Sequence, residues 1–182
     1  MHFELGNYYH FFNRTNNEEL LFKSESDYEV FLRRYRREPA AFVSTIAYCL
    51  MPTHFHFLIR ITTNDYESLT KKIAVLLSGY TRYVNRRYKR HGSLFQPRSK
   101  AKIVTGDQHM LRLIFYIHQN PLRAGCASKL DEWAYSSYQD LIGRRNGTLP
   151  DRHFIKELFG SVSKFKKYSE ENAEWITREY WM

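Results

Sequence analysis

The segment Cys49–Ile59, CLMPTHFHFLI, decides how the fold is interpreted. Pro52 marks a tight turn, and the residues after it alternate in character with a period of two, which predicts a strand. On such a strand His54 and His56 point to one face and the intervening phenylalanines to the other. The apolar run Ala41–Met51 predicts the partner strand, so the segment predicts a β-hairpin.

The elements on either side of this hairpin complete a recognisable order. Composition and periodicity predict the following elements: a strand at Tyr8–Arg14, a helix capped by Ser26 and running to about Arg37, the two hairpin strands, a helix at Asp65–Arg90, a strand at Lys100–Thr105, and a helix at Asp107–Asn120 ended by Pro121. The first six elements follow the split βαβ pattern. We therefore expect an α+β, ferredoxin-like fold: an antiparallel sheet with helices on one face and the other face free to carry a site.

The chain becomes more polar after Gly143, with charge clusters at Arg144-Arg145 and at Lys164–Lys167. We expect residues 1–143 to form one domain and residues 144–182 to form a helical C-terminal extension.

The composition points to a polyanionic partner. The 182 residues include 28 Lys+Arg against 19 Asp+Glu, a net charge of +9, and 16% are aromatic. Nucleic acid is the first expectation and an anionic membrane surface the second, although a basic protein with an aromatic core would have the same composition. No apolar run approaches the ~20 residues of a membrane span, and the N-terminus has no signal pattern. Because Cys49 and Cys126 suggest neither a metal site nor a disulfide framework, we expect a reduced, cytoplasmic protein.

Two pairs of residues carry candidate chemistry. His54 and His56, two apart on one strand, could bind one divalent ion through one ring nitrogen each. Tyr116 and Asn120 share one face of a helix at i and i+4, so the asparagine oxygen could complete the metal ligands beside an attacking phenol. Such a mixed nitrogen and oxygen set suits Mg²⁺ or Mn²⁺. Taken singly, each pair has a simpler interpretation: histidines on a half-buried face, and a surface tyrosine near a helix-ending asparagine.

Several segments in order resemble one protein family. CLMPTHFHFLI resembles the His-hydrophobic-His signature of the HUH nucleases, and YHFFNR, GSLFQPRSKAKIV, YIHQNPLRAG and WAYSSY resemble the REP-associated tyrosine transposases, a single-tyrosine branch of that superfamily close to bacterial insertion-sequence transposases. The resemblance runs from about Tyr8 to Tyr138. The chain departs from the family at Thr15, Thr53 and Pro97–Ser99, where no chemical group that the mechanism needs is lost.

The resemblance implies a function and a set of roles. Tyr116 matches the nucleophile, and His54, His56 and Asn120 match the ligands of Mg²⁺ or Mn²⁺. The implied activity is that of a transposase, a metal-dependent endonuclease and strand transferase that cuts and rejoins single-stranded DNA, with hairpin-forming repeats as substrate and a 5′-phosphotyrosine intermediate. Whether the protein is a monomer or a homodimer stays open.

DNA contacts are expected from basic and aromatic side chains. The candidates for phosphate binding are Arg14, Arg82, Arg86, Arg98, Lys100 and Arg123, and those for base stacking are Phe95 and Tyr83. A basic residue on a helix is also commonly just part of a solvated face. His10 and His118 either support the site or are structural, and we expect them to be structural.

Two other functions remain open. A ferredoxin-like domain could bind single-stranded nucleic acid without cutting it, although such a module has no need of Tyr116, His54, His56 and Asn120 together. A metal phosphodiesterase could instead use water and form no covalent intermediate.

Overall fold

The structure, a computed structural model, describes residues 2–171. The elements are the strands β1 (Tyr8–Arg14), β2 (Val43–Met51), β3 (His54–Ile61) and β4 (Lys100–Val104), and the helices α1 (Glu25–Arg37), α2 (Tyr66–Tyr88), α3 (Asp107–Arg123), α4 (Tyr138–Leu141), α5 (Arg152–Phe159) and α6 (Val162–Glu171). The predicted elements are therefore present in the predicted order.

The strands form a four-stranded sheet in the order β2-β3-β1-β4. All neighbouring strands are antiparallel, and β1 pairs with β3 from Tyr8 opposite Arg60 to Arg14 opposite His54. The β2–β3 hairpin therefore occupies one side of the sheet, β1 lies beside β3, and β4 is an edge strand. This is the ferredoxin-like arrangement that the sequence predicts.

Helices α1 and α2 cover one face of the sheet, and the core between them is largely aromatic. Phe31 lies with its ring centroid 5.1 Å from that of Phe55, and Tyr35 stacks on Phe57 at 4.1 Å. Tyr80 meets Phe31 edge to face at 5.0 Å. Burial of such rings is the main stabilising contribution here, because each removes a large apolar area from water.

The opposite face is not left free, contrary to the expectation from sequence. The apolar stripe of α3 packs on β2 and β3, where Leu58 and Cys49 belong to the same buried cluster as Leu113 and Ile117. An amphipathic helix must bury its apolar stripe, and the second face of β2 offers matching apolar side chains. The β1 and β4 side of this face keeps polar and basic residues.

Two helix ends also differ from the sequence predictions. Helix α1 is capped by Ser24, which forms a capping box with Asp27, so the cap lies two residues before the predicted Ser26. Helix α3 continues through Pro121 to Arg123. A proline removes only its own N–H from the ladder, and the helix still closes beyond it, since the Ala124 N–H donates to the carbonyl of Asn120 at 3.0 Å.

The C-terminal helices pack into the buried cluster on the α3 side of the sheet. Ile155 and Phe159 of α5 and Phe165 of α6 are buried in the cluster that contains α3. The division into a domain and an extension after Gly143 stays a prediction, and residues 172–182 of that extension lie outside the described residues. Within residues 2–171, no helix combines the length and apolarity that a bilayer crossing requires.

Asp27 ties α1 to α2 from a fully buried position. Its carboxylate accepts hydrogen bonds from the Tyr88 hydroxyl at 2.7 Å, the Tyr83 hydroxyl at 2.9 Å and the Lys23 N–H at 2.8 Å. Burial favours the protonated carboxyl, but these donors outweigh it and hold the pKa of Asp27 below its ordinary value.

We expect Asp27→Asn to lower the free energy of unfolding by about 2–3 kcal/mol at neutral pH, because the amide cannot accept all of these hydrogen bonds. A group whose pKa is lower in the folded state stabilises the protein above its unfolded pKa of ~3.9, and it loses that contribution as the pH falls through the folded value. The difference between the two proteins should therefore shrink below about pH 4. Urea unfolding across pH measures it, with the exposed Glu29→Gln on the same helix as control. Equal stability of Asp27→Asn and the unmodified protein at pH 7 would contradict the assignment.

Candidate functional site

The floor of the site is the face of β3 that carries the two histidines. The rings of His54 and His56 lie 5.1 Å apart between centroids and nearly perpendicular, at 84°. Across the ladder, Arg14 of β1 stands opposite His54, and Phe12 stands opposite His56. The strand alternation thus places the imidazoles and an arginine on one surface.

Helix α3 brings Tyr116 and Asn120 onto this floor. The Tyr116 ring lies edge to face against His56, with centroids 5.3 Å apart. The Asn120 side-chain amide donates to the Tyr116 carbonyl at 2.7 Å, and Asn120 also hydrogen-bonds to the side chains of His54 and Tyr116. The four residues singled out in the sequence therefore meet within one chain.

A pocket of about 420 Å³ lies beside these residues, with His56 buried behind its wall. His54, Tyr116 and Asn120 line it together with Arg14 and Arg123. Arg14 forms an ion pair with the exposed Glu18, with 3.6 Å between Nη2 and Oε1. Two arginines at the mouth make the pocket suited to an anionic group such as a phosphodiester.

His10 contacts His56 directly. Nε2 of His10 and Nδ1 of His56 are 2.9 Å apart, and both side chains are buried. Burial, and then the charges of Lys102 and His109, lower the pKa of His10 to about 3, so its ring is neutral at pH 7. A neutral His10 with an unprotonated Nε2 accepts from His56 Nδ1–H, which leaves the lone pair of His56 on Nε2.

The residues present fit a divalent metal. Nε2 of His56 is buried and has no hydrogen-bond partner among the described residues. Burial lowers the pKa of His56 well below its ordinary value, and burial together with the charge of Arg14 lowers that of His54 to about 4. Both rings are therefore neutral and able to ligate. Within residues 2–171, no three His, Cys, Asp or Glu side chains cluster as a metal site, so the ligands would be two imidazoles and the oxygen of Asn120.

Tyr116 is not activated by its protein surroundings alone. Burial raises the pKa of its phenol, and this outweighs the opposing effects of the Asn120 hydrogen bond and the Arg123 charge. A phenol in this position needs a further nearby cation to lose its proton at neutral pH.

The expected DNA contacts divide between the two faces of the molecule. Arg14 and Arg123 line the pocket, and Lys100 lies over the Phe12 ring at 5.7 Å on the same face of the sheet. Tyr83, Arg82 and Arg86 belong instead to α2 on the opposite face. The exposed Arg98 precedes β4 at the sheet edge.

Phe95 does not fit the role proposed for it. Its side chain is 6% exposed, and its ring packs edge to face on Phe55 at 6.0 Å. The expectation that it stacks on a base is therefore wrong for this structure, because the ring is committed to the core.

The structure places two further residues, His10 and Lys102, beside the site. His10 was expected to be structural, and its Nε2 lies 2.9 Å from Nδ1 of the candidate ligand His56. Lys102, which lies 5.7 Å from the Phe12 ring centroid, extends the basic surface begun by Lys100. The alternation Lys100-Ala101-Lys102 on an edge strand was a usable signal for the second lysine.

Comparison with known proteins shows the family of the chain. Residues 5–120, more than half of the chain, match the family model described as "Transposase IS200 like". A protein of Haemophilus influenzae described as a REP-associated tyrosine transposase is 28% identical over 103 residues, which cover 52% of this chain and 58% of the relative. The chain thus spans less than two thirds of that relative.

A solved structure has the same fold. It is that of a REP-associated tyrosine transposase bound to a REP hairpin, with a TM-score of 0.60 and 17% identity, over 83% of this chain and 92% of that one. At this identity the likeness establishes the fold alone. The family match over residues 5–120 shows that the chain belongs to the IS200-like transposase family.

Proposed function

We propose that this protein cuts and rejoins single-stranded DNA at hairpin-forming repeats, with Tyr116 as the nucleophile and Mg²⁺ or Mn²⁺ as the cofactor. The observation that carries the proposal is that Tyr116 lies against His56 of the same chain, in a pocket lined by Asn120, Arg14 and Arg123. The related solved structure, which contains a REP hairpin, supports the choice of DNA.

The metal would be held by His54, His56 and Asn120. When bound, it would polarise the scissile phosphate and favour the phenolate of a nearby tyrosine. The protein itself would keep both imidazoles neutral by burying them, and it would orient His56 through the hydrogen bond with His10.

The chemical step is an exchange of phosphate esters. The Tyr116 oxygen bonds to phosphorus, and the bond from phosphorus to the 3′ oxygen breaks. The proton lost by the phenol balances the one gained by the free 3′-OH, and the 5′ end stays on the protein as a phosphotyrosine. Because one ester replaces another, the reverse attack by a 3′-OH rejoins DNA without an external energy source.

The basic residues of the same face would position the strand. Arg14 and Arg123 stand at the pocket, where their planar guanidinium groups suit the oxygens of a phosphate. Lys100 and Lys102, both exposed beside Phe12, extend the positive surface along β1 and β4.

We expect Tyr116→Phe to abolish the covalent adduct and strand cleavage while leaving DNA affinity within about twofold, because only the reacting oxygen is removed. The measurement uses labelled single-stranded hairpin oligonucleotides from the DNA that flanks the gene, with Mn²⁺, on denaturing and native gels. Tyr8→Phe, a half-buried tyrosine on β1 that does not line the pocket, is the matched control and should still form the adduct.

Other outcomes would support the competing functions. Metal-dependent cutting without any adduct would indicate a phosphodiesterase that uses water. Binding without cutting would indicate a module that only holds nucleic acid. An adduct that persists in Tyr116→Phe would show that another residue is the nucleophile.

We further expect His10→Leu to weaken Mn²⁺ binding by roughly 10- to 100-fold, since His56 would lose the acceptor that holds its Nδ1–H. His10→Gln should restore part of the affinity, because its side-chain oxygen accepts a hydrogen bond. Calorimetric titration of the DNA-free protein with Mn²⁺ measures this without reference to activity.

His118→Leu is the control for the loss of a buried histidine. His118 is also fully buried, but its Nε2 hydrogen-bonds to the Ser137 hydroxyl at 2.8 Å, away from the pocket. The His118→Leu variant should lower the free energy of unfolding and leave the Mn²⁺ affinity unchanged. Equal Mn²⁺ affinity of His10→Leu and the unmodified protein would refute the orienting role of His10, and no Mn²⁺ binding to the unmodified protein would refute the metal site.

A further inference from the structure

A second basic surface lies on the helical layer, on the other side of the sheet from Tyr116. Arg34 of α1 and Arg82 and Arg86 of α2 line a cleft of about 670 Å³, together with Gly79, Tyr83 and Arg87. We call this surface the arginine cleft. It shares no residue with the pocket that holds Tyr116.

The cleft is built around Gly79. A methyl group on this residue would stand 2.6 Å from Nη1 of Arg34 and 3.8 Å from Nη2 of Arg82. The two guanidinium groups therefore approach each other over a backbone that carries no side chain. A glycine inside a helix is normally less stable than an alanine. The space that Arg34 occupies beside Gly79 therefore lowers the stability of α2.

Three of the four arginines of the cleft have no carboxylate partner within the described part of the chain, whereas Arg87 forms an ion pair with Asp27, with 3.7 Å between Nε and Oδ1. Among residues 2–171, no carboxylate forms an ion pair with Arg34, Arg82 or Arg86. Arg82 and Arg86 are also one turn apart on α2, where like charges destabilise a helix. A cluster that destabilises the free protein is explained if it binds an anion.

The cleft continues toward the catalytic face. Arg82 also lines a neighbouring pocket of about 470 Å³, with Asn13, Arg98 and Ser99. The Asn13 side chain donates to the Ser99 hydroxyl at 2.7 Å, and these two residues directly precede Arg14 of the catalytic pocket and Lys100 of β4. Basic residues therefore follow the β4 edge from one face of the sheet to the other.

We propose that the arginine cleft is a second DNA-binding site, in which Arg34 and Arg82 clamp one phosphate of the backbone while the cleaved segment lies at Tyr116. The bound strand passes around the β4 edge, over Arg98. The proposal rests on DNA as the partner from the proposed function, but it requires neither cleavage nor metal. Phosphodiester oxygens suit a paired arginine clamp because each guanidinium presents a fixed fork of donors.

The test measures binding of a fluorescent oligothymidylate of about 40 nucleotides, long enough to reach both faces. Anisotropy is followed against NaCl concentration in metal-free buffer, with all variants in the Tyr116→Phe background. Arg34→Gln combined with Arg82→Gln should weaken binding roughly tenfold. It should also reduce the slope of log affinity against log salt by about 0.7, the value for the loss of one phosphate contact on a single strand.

Gly79→Ala is the most informative variant, because it removes no charge. The new methyl displaces only the flexible end of Arg34, and alanine favours the helix. We expect an equal or higher melting temperature, about threefold weaker binding, and a smaller reduction of the salt slope than in the double arginine variant. The control for the double arginine variant is Arg112→Gln combined with Lys156→Gln. These two exposed residues lie on α3 and α5, and their replacement removes the same two positive charges.

The outcomes separate the alternatives. Unchanged affinity and slope in the cleft variants, or an equal loss in the control, would overturn the second site. A change in sedimentation without a change in DNA binding would show that a second copy of the chain occupies the cleft, and would also overturn it. If the cleft variants weaken DNA binding, and the unmodified protein, which keeps Tyr116, forms no covalent adduct, this inference stands and the proposed function fails.

Discussion

The strict alternation of side chains along β3 is the constraint on which the rest of the structure depends. This strand lies inside the sheet, between β2 and β1, so the side chains on each of its two faces pack against helices. Its phenylalanines enter an aromatic core beneath α1 and α2, while its histidines face α3. A shift of one residue would exchange the two sets and would bury imidazoles among aromatic rings that cannot hydrogen-bond to them.

The aromatic side of β3 makes the histidine side rigid. Phe55 and Phe57 are fully buried, and each contacts rings of α1 as well as a ring of β1. A strand held in this way cannot rotate or slide easily, so His54 and His56 keep their positions without a ligand. Preorganisation of this kind lowers the cost of binding a metal or a charged strand.

Helix α3 makes the site by covering only part of the second face. Its apolar stripe packs on β2 and β3, and its border with β1 carries Tyr116 and Asn120. Burial at this border lowers the pKa values of the histidines and raises that of the tyrosine. The same desolvation that keeps the imidazoles neutral also disfavours the phenolate, so Tyr116 would need a nearby cation to act as the proposed nucleophile.

The sequence by itself determined the features that depend on short spacings. The hairpin, the shared face of His54 and His56, and the one-turn spacing of Tyr116 and Asn120 follow from strand and helix periodicity, and the matching segments identified the family. Only the tertiary structure decided which distant residues meet. His10 and His56 are 46 positions apart, and Gly79 accommodates an arginine of another helix. Phe95 is an aromatic residue near basic ones, which suggested stacking on a base, but its ring is buried in the core. Periodicity describes neighbours along one element, whereas these contacts depend on how elements pack, and that is set by burial of the whole apolar surface.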